Sequence, residues 1–163
     1  METERLRLCP ATRRQMEAAI AAEADGELRQ AYSEMLACCL AHPEQWDWYA
    51  MWRIEDRDGE LVGDLCFKGL DPEGRAEIGY GILAERRGRG YAAEAVRAAL
   101  DWAFGHPELR AVEAETEPGN AASQRVLLKC GFLPNGVMGQ EGPRWSLPRQ
   151  RFEALRRKEA APE

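Results

Sequence analysis

The sequence predicts a single α/β domain with a mixed, mostly antiparallel sheet of about six or seven strands and about four flanking helices. Residues 46–55, 61–67 and 75–83 are apolar segments separated by tight-turn signals, so they predict three consecutive antiparallel strands. Residues 91–105 have apolar positions at helical spacing, and another strand is predicted for residues 109–116. Because that strand follows a helix, we expect it to lie parallel to the strand before the helix.

The N-terminal part of the chain predicts one strand and two helices. Polar and apolar residues alternate over residues 3–9, as in a half-buried strand. Thr12 is expected to cap a helix that ends near residue 24, and a second helix is expected over residues 27–41, where Pro43 follows. The aromatic segment after it is predicted to be a strand whose tryptophans pack in a core or an interface.

The C-terminal part predicts a capped helix, a strand pair and a charged end. Asn120 is placed to cap a helix that Gly131 ends. Residues 137–138 and 144–147 are predicted to form the last pair of strands, and residues 148–163 are predicted to be a charged helical or frayed tail. No repeat or linker divides the chain, so we expect one domain over residues 1–163.

Composition narrows the class of function. The chain has 163 residues, of which 45% are hydrophobic and 31% charged, which is ordinary for a soluble globular protein. The net charge of −6 argues against a nucleic-acid partner and is compatible with a cationic substrate such as an amine. No apolar run approaches the ~20 residues of a membrane span, and the first residues lack the apolar core of a signal peptide. A cytoplasmic protein without a membrane partner is expected.

Cysteine and histidine usage predicts neither a disulfide framework nor a metal site. The five cysteines include no Cys-x-x-Cys pair, and the chain has only two histidines. Each cysteine is therefore expected to be a small core residue.

A candidate anion site lies between the strand of residues 75–83 and the helix that begins near Tyr91. Gly88 and Gly90 lack a Cβ atom, so the backbone there can take a positive φ and approach a ligand closely. The first amides of the helix have no intrahelical partner, and the helix dipole adds partial positive charge. Together with the neighbouring arginines, this pattern predicts a cradle for phosphate. The alternative is a glycine-rich turn whose arginines face solvent.

Two nucleotide-binding motifs compete with this interpretation. A Walker loop is excluded, because no Gly-Lys-Ser/Thr follows the glycines. The spacing Gly88-x-Gly90-x-x-Ala93 satisfies a relaxed dinucleotide fingerprint. Consecutive hairpins before the loop, and only about seventy residues after it, argue against the repeated βα units of a doubly wound fold.

Three blocks of the second half resemble the GNAT superfamily of acyl-CoA-dependent N-acyltransferases, and most closely its ribosomal-protein N-terminal acetyltransferase-like branch. They are Ala76-Glu-Ile-Gly-Tyr-Gly-Ile82, Arg87-Gly-Arg-Gly-Tyr-Ala-Ala-Glu-Ala95, and the stretch from Val112-Glu-Ala114 through Pro118-Gly-Asn-Ala-Ala-Ser123 to Cys130-Gly-Phe132. The resemblance covers about residues 75–136, and the order of predicted elements fits the whole chain. Glu85 departs from the glutamine or arginine that usually opens the family's loop pattern.

The resemblance implies a single acyl-CoA N-acyltransferase domain in which the strands on either side of the loop splay apart to admit acetyl-CoA. No metal is implied. The diphosphate is expected to bind to the loop amides, and the pantetheine arm is expected to run beside the end of the strand before the loop. The start of the helix after the next strand is expected to contact the cofactor. The residues that correspond to these roles are Arg87, Gly88, Arg89, Gly90, Tyr91 and Ala92 for the diphosphate, Ile82 and Leu83 for the pantetheine, and Asn120 and Ser123 on the helix.

The implied chemistry is direct attack of a primary amine on the thioester, with a carboxylate that removes a proton. A lysine amine has a pKa near about 10.4 and an α-amine about 7.7–8.0, so either gains from a base. By resemblance the base is Glu115, which precedes Asn120 by five residues, or Glu77 on the strand before the loop. Glu113 alternates to the same face as Glu115 and stays a further candidate. Each of these could equally be a solvated strand glutamate.

Leu127 departs from the family pattern. Many members carry there a tyrosine that protonates the departing thiolate, whereas water, Ser123 or no dedicated acid remains for this chain. A non-catalytic acyl-CoA-binding module is therefore the alternative function. The acceptor stays open among a protein N-terminus, a polyamine and an amino sugar, and homodimers, which are common in the superfamily, are an implied option.

Overall fold

The fold is a seven-stranded sheet with helices on both faces, described for residues 1–161 in a computed structural model. The strands are β1 (Leu6–Pro10), β2 (Met51–Asp56), β3 (Leu61–Leu70), β4 (Arg75–Ile82), β5 (Ala111–Glu115), β6 (Leu133–Met138) and β7 (Pro143–Pro148). The α-helices are α1 (Arg13–Ala22), α2 (Gly26–Ala41), α3 (Trp46–Tyr49), α4 (Tyr91–Phe104), α5 (Ala121–Lys129) and α6 (Arg149–Ala160). Short 3₁₀ turns occupy Pro43–Gln45 and Ala84–Arg86. The predicted mixed α/β class is confirmed.

One parallel pair lies inside an otherwise antiparallel sheet, whose strand order is β1-β2-β3-β4-β5-β7-β6. The parallel ladder joins residues 75–77 of β4 to residues 111–113 of β5 and ends at the Glu77–Glu113 pair. Beyond that pair the two strands diverge, while β4 stays paired to β3 and β5 to β7. The predicted parallel order and the splay are therefore present.

The main core lies between the sheet and α4. Val96, Ala99 and Ala103 are fully buried on the inner side of the helix. Trp102 of the same helix contacts an aromatic cluster, with ring centroids 4.7 Å from Trp48, 5.0 Å from Trp52 and 5.5 Å from Phe67. A second, smaller core lies under α1 and α2 and includes Met16 and Cys39.

The prediction of one strand over residues 46–55 is wrong in its first half. Trp46–Tyr49 form a helical turn, closed by a 2.8 Å bond from the Ala50 amide to the Trp46 carbonyl, and β2 begins at Met51. The Trp46 indole donates to the carbonyl of Ala11 at 3.0 Å, and the Trp52 indole donates to that of Asp47 at 2.9 Å. The Trp46 bond joins segments that are 35 positions apart, and such a tertiary contact overrides the strand preference of the aromatic side chains. Trp48 and Trp52 are buried, as the core interpretation predicts.

The C-terminal residues form a docked helix rather than a tail. Phe152 and Leu155 of α6 pack against the main core. Arg149 donates to the backbone carbonyls of Leu109 at 2.8 Å and Phe104 at 3.0 Å, which ties the helix to the end of α4. Of the two forms predicted for residues 148–163, a helix or a frayed end, the helix is present through residue 160, but it is docked on the core by two apolar side chains and is not a free tail. Residues 162 and 163 lie outside the described part.

The remaining predicted elements agree closely with the structure. Thr12 caps α1 in a reciprocal capping box with Gln15, and the helix ends at Ala22, slightly earlier than predicted. The strands β6 and β7 pair antiparallel, as predicted, and the five cysteines are free thiols. The prediction that each cysteine is a core residue is wrong for Cys9 and Cys38, which are exposed, whereas Cys39 and Cys130 are buried. Within residues 1–161 no helix is long and apolar enough to cross a membrane, and no cluster of three potential metal ligands was found.

Candidate functional site

The loop between β4 and α4 has the backbone that an anion cradle needs. Gly88 has a φ of +76° and Gly90 a φ of +78°, both in the left-handed region that glycine tolerates best. Gly90 is the N-cap of α4 and provides no side-chain hydrogen bond. The first amides of this 14-residue helix are therefore left for solvent or a ligand.

A cavity of about 610 Å³ lies between this loop, β4 and α5. The predicted cofactor residues that line it are Ile82, Arg87, Gly88, Gly90, Tyr91, Ala92, Asn120 and Ser123. Leu83 and Arg89 do not line it. Arg89 lies instead at the surface groove between the N-terminal segment and α4, where its carbonyl accepts a bond from Arg5 at 2.8 Å. We call the 610 Å³ space the cofactor cavity.

The basic residues around the cofactor cavity differ in whether their side chains already bind another group of the protein. Arg86 pairs with Asp56 at 2.9 Å, and Arg87 donates to the carbonyl of Ile82 at 3.0 Å. Two further cations, Arg125 and Lys129, enter the cavity from α5. Sequence reasoning missed them, although their spacing of four residues places them on one helix face.

A smaller cavity of about 270 Å³ opens where β4 and β5 diverge. Its wall includes Lys68, Glu115, Leu127 and Glu141. Of the residues that line this space, which we call the splay cavity, only three also line the cofactor cavity: Tyr80, Asn120 and Ser123. These three side chains therefore stand at the junction of the two spaces.

Asn120 and Ser123 are fixed by the start of α5. The Asn120 side-chain oxygen accepts a 3.0 Å bond from the Ser123 amide, so the predicted N-cap is confirmed and the amide NH₂ group remains free to contact a ligand. The Ser123 hydroxyl lies 2.9 Å from the Tyr80 hydroxyl. Tyr80 was missed by sequence reasoning, although its place between Gly79 and Gly81 in a strand was a signal.

The three candidate carboxylates converge on one guanidinium from β7. Arg144 lies 2.8 Å from Glu77, 2.9 Å from Glu113 and 3.2 Å from Glu115. Lys68 makes a further 2.5 Å ion pair with Glu77. We call these five residues the charge cluster. Their sequence separation explains why Arg144 and Lys68 were not predicted as partners.

Glu115 also holds the turn between β6 and β7. Its Oε1 atom accepts from the Glu141 amide at 2.8 Å and from the Gly142 amide at 3.2 Å. The turn approaches so closely that a Cβ atom on Gly139 would lie 2.0 Å from that oxygen. The hydrogen bond from the Glu141 amide, aided by Gly142 and Arg144, lowers the pKa of Glu115 below its ordinary value.

Glu115 and Glu77 lie at different cavities. Glu115 lines the splay cavity together with Tyr80 and Ser123. Glu77 and Glu113 line a neighbouring cavity beside Lys68 and Leu70. Of the three candidate carboxylates, Glu115 therefore shares a cavity with the junction residues, whereas Glu77 and Glu113 do not.

Comparison with known proteins identifies a family. Residues 5–133 match the family described as Acetyltransferase (GNAT) domain. YoaA of Bacillus subtilis (strain 168), named an uncharacterized N-acetyltransferase, is 40% identical over 91 residues, which cover 55% of this chain and 51% of that protein. The ribosomal-protein-serine acetyltransferase of Escherichia coli (strain K12) is 29% identical over 93 residues, or 56% and 52% of the two chains. The chain thus spans about half the length of the curated relatives it matches.

Solved structures agree on the fold. The spermidine N-acetyltransferase of Vibrio cholerae, in complex with CoA and spermine, superposes with a TM-score of 0.73 at 16% identity, covering 93% of this chain and 99% of that one. A GNAT-family acetyltransferase of Bacillus anthracis superposes with a TM-score of 0.69 at 20% identity, over 92% and 98% of the chains.

Proposed function

Because the chain belongs to the GNAT acetyltransferase family, we propose that it transfers an acetyl group from acetyl-CoA to a primary amine. The observation that supports this best is the cofactor cavity, which joins the positive-φ loop, the start of α4 and the cap of α5. A diphosphate needs several N–H donors and positive charge in one place, and this cavity provides both.

Successive parts of the cofactor cavity match successive chemical groups of acetyl-CoA, from the diphosphate to the thioester. The amides from Gly88 to Ala92 are proposed to hold the diphosphate, and the free cations of Arg125 and Lys129 are placed to attract phosphate charge. The β4 edge near Ile82 is proposed to run beside the pantetheine arm, which brings a thioester toward the junction residues. Acetyl-CoA supplies the activated acyl group, and the residues of the cavity position that group for attack by the amine.

The proton of the attacking amine is proposed to pass to a carboxylate of the charge cluster. Glu115 is placed better than Glu77, because it shares the splay cavity with the junction residues. Its lowered pKa makes it a weak base, so it would accept the proton, directly or through a bound water, as the C–N bond forms and the amine proton becomes acidic, rather than deprotonate the free ammonium beforehand. Glu77 is the second candidate and would act from the neighbouring cavity.

A cationic acceptor fits the walls of the splay cavity, where Glu115, Glu117 and Glu141 outnumber the one cation, Lys68. One structural neighbour is named for spermidine and one relative for serine of a ribosomal protein, and both acceptors can present a primary amine. We therefore propose spermidine and a peptide with an N-terminal serine as the first amines to test.

The experiment has a binding arm and a turnover arm. Calorimetric titration is expected to show saturable binding of acetyl-CoA and none of NAD. Release of the CoA thiol should then depend on one of the two amines. Glu115→Gln is expected to lower kcat by about 100-fold, as for loss of a general base, with acetyl-CoA affinity retained. A chain that does not bind acetyl-CoA would overturn the proposal.

A non-catalytic acyl-CoA-binding module is the second candidate, and one observation favours it. Each of the three candidate carboxylates, Glu77, Glu113 and Glu115, is already ion-paired to Arg144 or Lys68, which weakens it as a base. Such a module would bind acetyl-CoA as tightly as an enzyme does and release no thiol with any amine. Unchanged turnover in both Glu115→Gln and Glu77→Gln would instead mean an enzyme without a carboxylate base.

A further inference from the structure

The hydroxyl groups of Tyr80 and Ser123 lie side by side at the junction between the two cavities. We propose that Tyr80, supported by Ser123, gives its proton to the CoA sulfur as the thioester breaks. This inference rests on the proposed acetyl transfer and adds to it the identity of the acid. It starts from the observation that Tyr80 and Ser123 line both the cofactor cavity and the splay cavity. A thioester attacked from the splay cavity must have its sulfur close to that junction.

The geometry places the Tyr80 hydroxyl firmly. Tyr80 lies on β4 opposite Leu65 of β3, on the face that packs under α5. Its Oη atom is 2.9 Å from Ser123 Oγ and donates to the Ser123 carbonyl at 3.3 Å. Ser123 is itself held by the Asn120 cap, so the acceptor of the phenol is pre-oriented before any ligand binds.

The protonation state of Tyr80 suits a donor. Burial raises the pKa of the Tyr80 phenol above its ordinary value, and the hydrogen bond from Ser123 offsets this only in part. The phenol therefore keeps its proton at neutral pH. The CoA thiol has a pKa of about 8.5, below that of the phenol, so full proton transfer to the thiolate is uphill. It proceeds as the C–S bond breaks and is completed when Tyr80 regains a proton from solvent.

No other acid on the junction wall competes with this phenol. The position at which the family commonly has its tyrosine is Leu127, which is fully buried and apolar. Asn120 does not ionise. Tyr80 enters the junction from β4, whereas Leu127 is on α5. The junction therefore contains a tyrosine hydroxyl even though position 127 of α5 is a leucine.

The amine nitrogen forms a bond to the carbonyl carbon, and a proton leaves the nitrogen for the carboxylate or its water. The C–S bond then breaks with its electron pair on sulfur, and the Tyr80 proton joins that sulfur to give the free thiol. The resulting tyrosinate, stabilised by the Ser123 hydroxyl, takes a proton from solvent, and the carboxylate returns its proton to solvent. Transfer to a neutral amine therefore releases no net proton, and transfer to an amine that enters as its ammonium releases one.

The first test removes single hydroxyls. Tyr80→Phe is expected to lower kcat by about 100-fold with spermidine or the serine peptide, while KM for acetyl-CoA changes by less than about twofold. Ser123→Ala should lower kcat less, because water can replace a supporting hydroxyl. Tyr32→Phe is the matched control, since Tyr32 is a half-buried tyrosine that lines neither these two cavities nor the one beside Glu77. A kcat for Tyr80→Phe within about threefold of the wild type would overturn the inference.

The second test needs no acceptor. Ultraviolet absorbance of the thiolate gives the pKa of the thiol in bound CoA. A hydroxyl donor at the sulfur is expected to lower that pKa by about one unit relative to free CoA, and Tyr80→Phe should abolish the shift. An equal thiol pKa in wild type and Tyr80→Phe would contradict the inference, even if neither amine is a substrate. Absence of CoA binding would instead contradict the proposed function.

Discussion

Gly90 has a backbone conformation that few other residues adopt, and a ligand-facing position. Its φ of +78° would strain any side chain by about 1–2 kcal/mol, and it begins α4 at the cofactor cavity. We expect Gly90→Val to weaken acetyl-CoA binding by at least about tenfold, because a β-branched residue disfavours the positive φ that orients the first amides of α4 toward the cavity. Calorimetry measures the change.

Gly59 provides the control for that variant. It lies in the turn between β2 and β3 with a φ of +84° and no neighbour within 4 Å of a built Cβ. Gly59→Val should cost similar stability and leave acetyl-CoA affinity unchanged. Equal loss of affinity in both variants would mean that strain, and not the cradle, controls binding.

Glu115 makes stability depend on pH in a defined direction. Its folded-state pKa is lowered, so its contribution is present above its unfolded pKa of about 4.3 and disappears as pH falls through the folded value. Glu115→Gln is therefore expected to have a lower Tm than the wild type at pH 7 and a nearly equal one at pH 3. Thermal unfolding at the two values tests this, with the exposed Glu108→Gln as control. A Tm difference that is the same at both pH values would contradict the assignment.

Among the elements, strands bounded by turns and helices bounded by caps were predictable, because their signals are local. Thr12 and Asn120 are examples, since each cap bond joins residues three positions apart. The turn at Trp46–Tyr49 was not predictable from local sequence. The Trp46 indole donates to Ala11, which is in another segment, and the Trp52 indole of the following strand donates back to Asp47 in the turn. Aromatic residues favour strands on average, and only the folded context could reverse that preference.

The contact between β5 and β7 predicts a specific loss of stability. The Trp145 indole donates to the Thr116 hydroxyl at 3.0 Å, and both side chains are buried. Thr116→Val keeps the shape and leaves the N–H group without an acceptor, so we expect unfolding free energy to fall by about 1–3 kcal/mol. Denaturant titration measures this.

The double variant Thr116→Val with Trp145→Phe distinguishes that cause from a packing defect. It removes both hydrogen-bonding groups, so the loss caused by Thr116→Val should be smaller in the Trp145→Phe background than in the wild type. Additive losses would show that the hydrogen bond contributes little.

At the scale of the whole molecule, α6 is predicted to be part of the folding unit. Phe152 stacks on Phe104 with ring centroids 4.3 Å apart. Phe152→Ala is expected to lower the unfolding free energy by about 2 kcal/mol or more in the same cooperative transition. The control Leu128→Ala changes a side chain that is 52% exposed and should alter stability by less than about 0.5 kcal/mol. An unaltered midpoint for Phe152→Ala would mean that the helix is not coupled to the core.

The candidate site was predictable only where its residues are consecutive. The loop from Arg87 to Ala92 and the cap at Asn120 could be recognised, because a backbone motif is written in one stretch of sequence. The bond between Tyr80 and Ser123 spans 43 positions, and the bond between Arg144 and Glu115 spans 29. Such contacts depend on strand order and register, which a single sequence without the fold does not specify.

The brief ladder between β4 and β5 has a mechanical consequence. The sheet consists of two plates, β1–β4 and β5–β7–β6, whose direct backbone seam is three residue pairs long. Arg144 fastens the plates again just beyond that seam, because it holds carboxylates from both. A molecule bound between β4 and β5 would contact both groups of strands. It would keep β4 and β5 apart beyond the seam and would also link the two groups. Filling of the gap should therefore stiffen the sheet as a whole, well outside the atoms that the molecule touches.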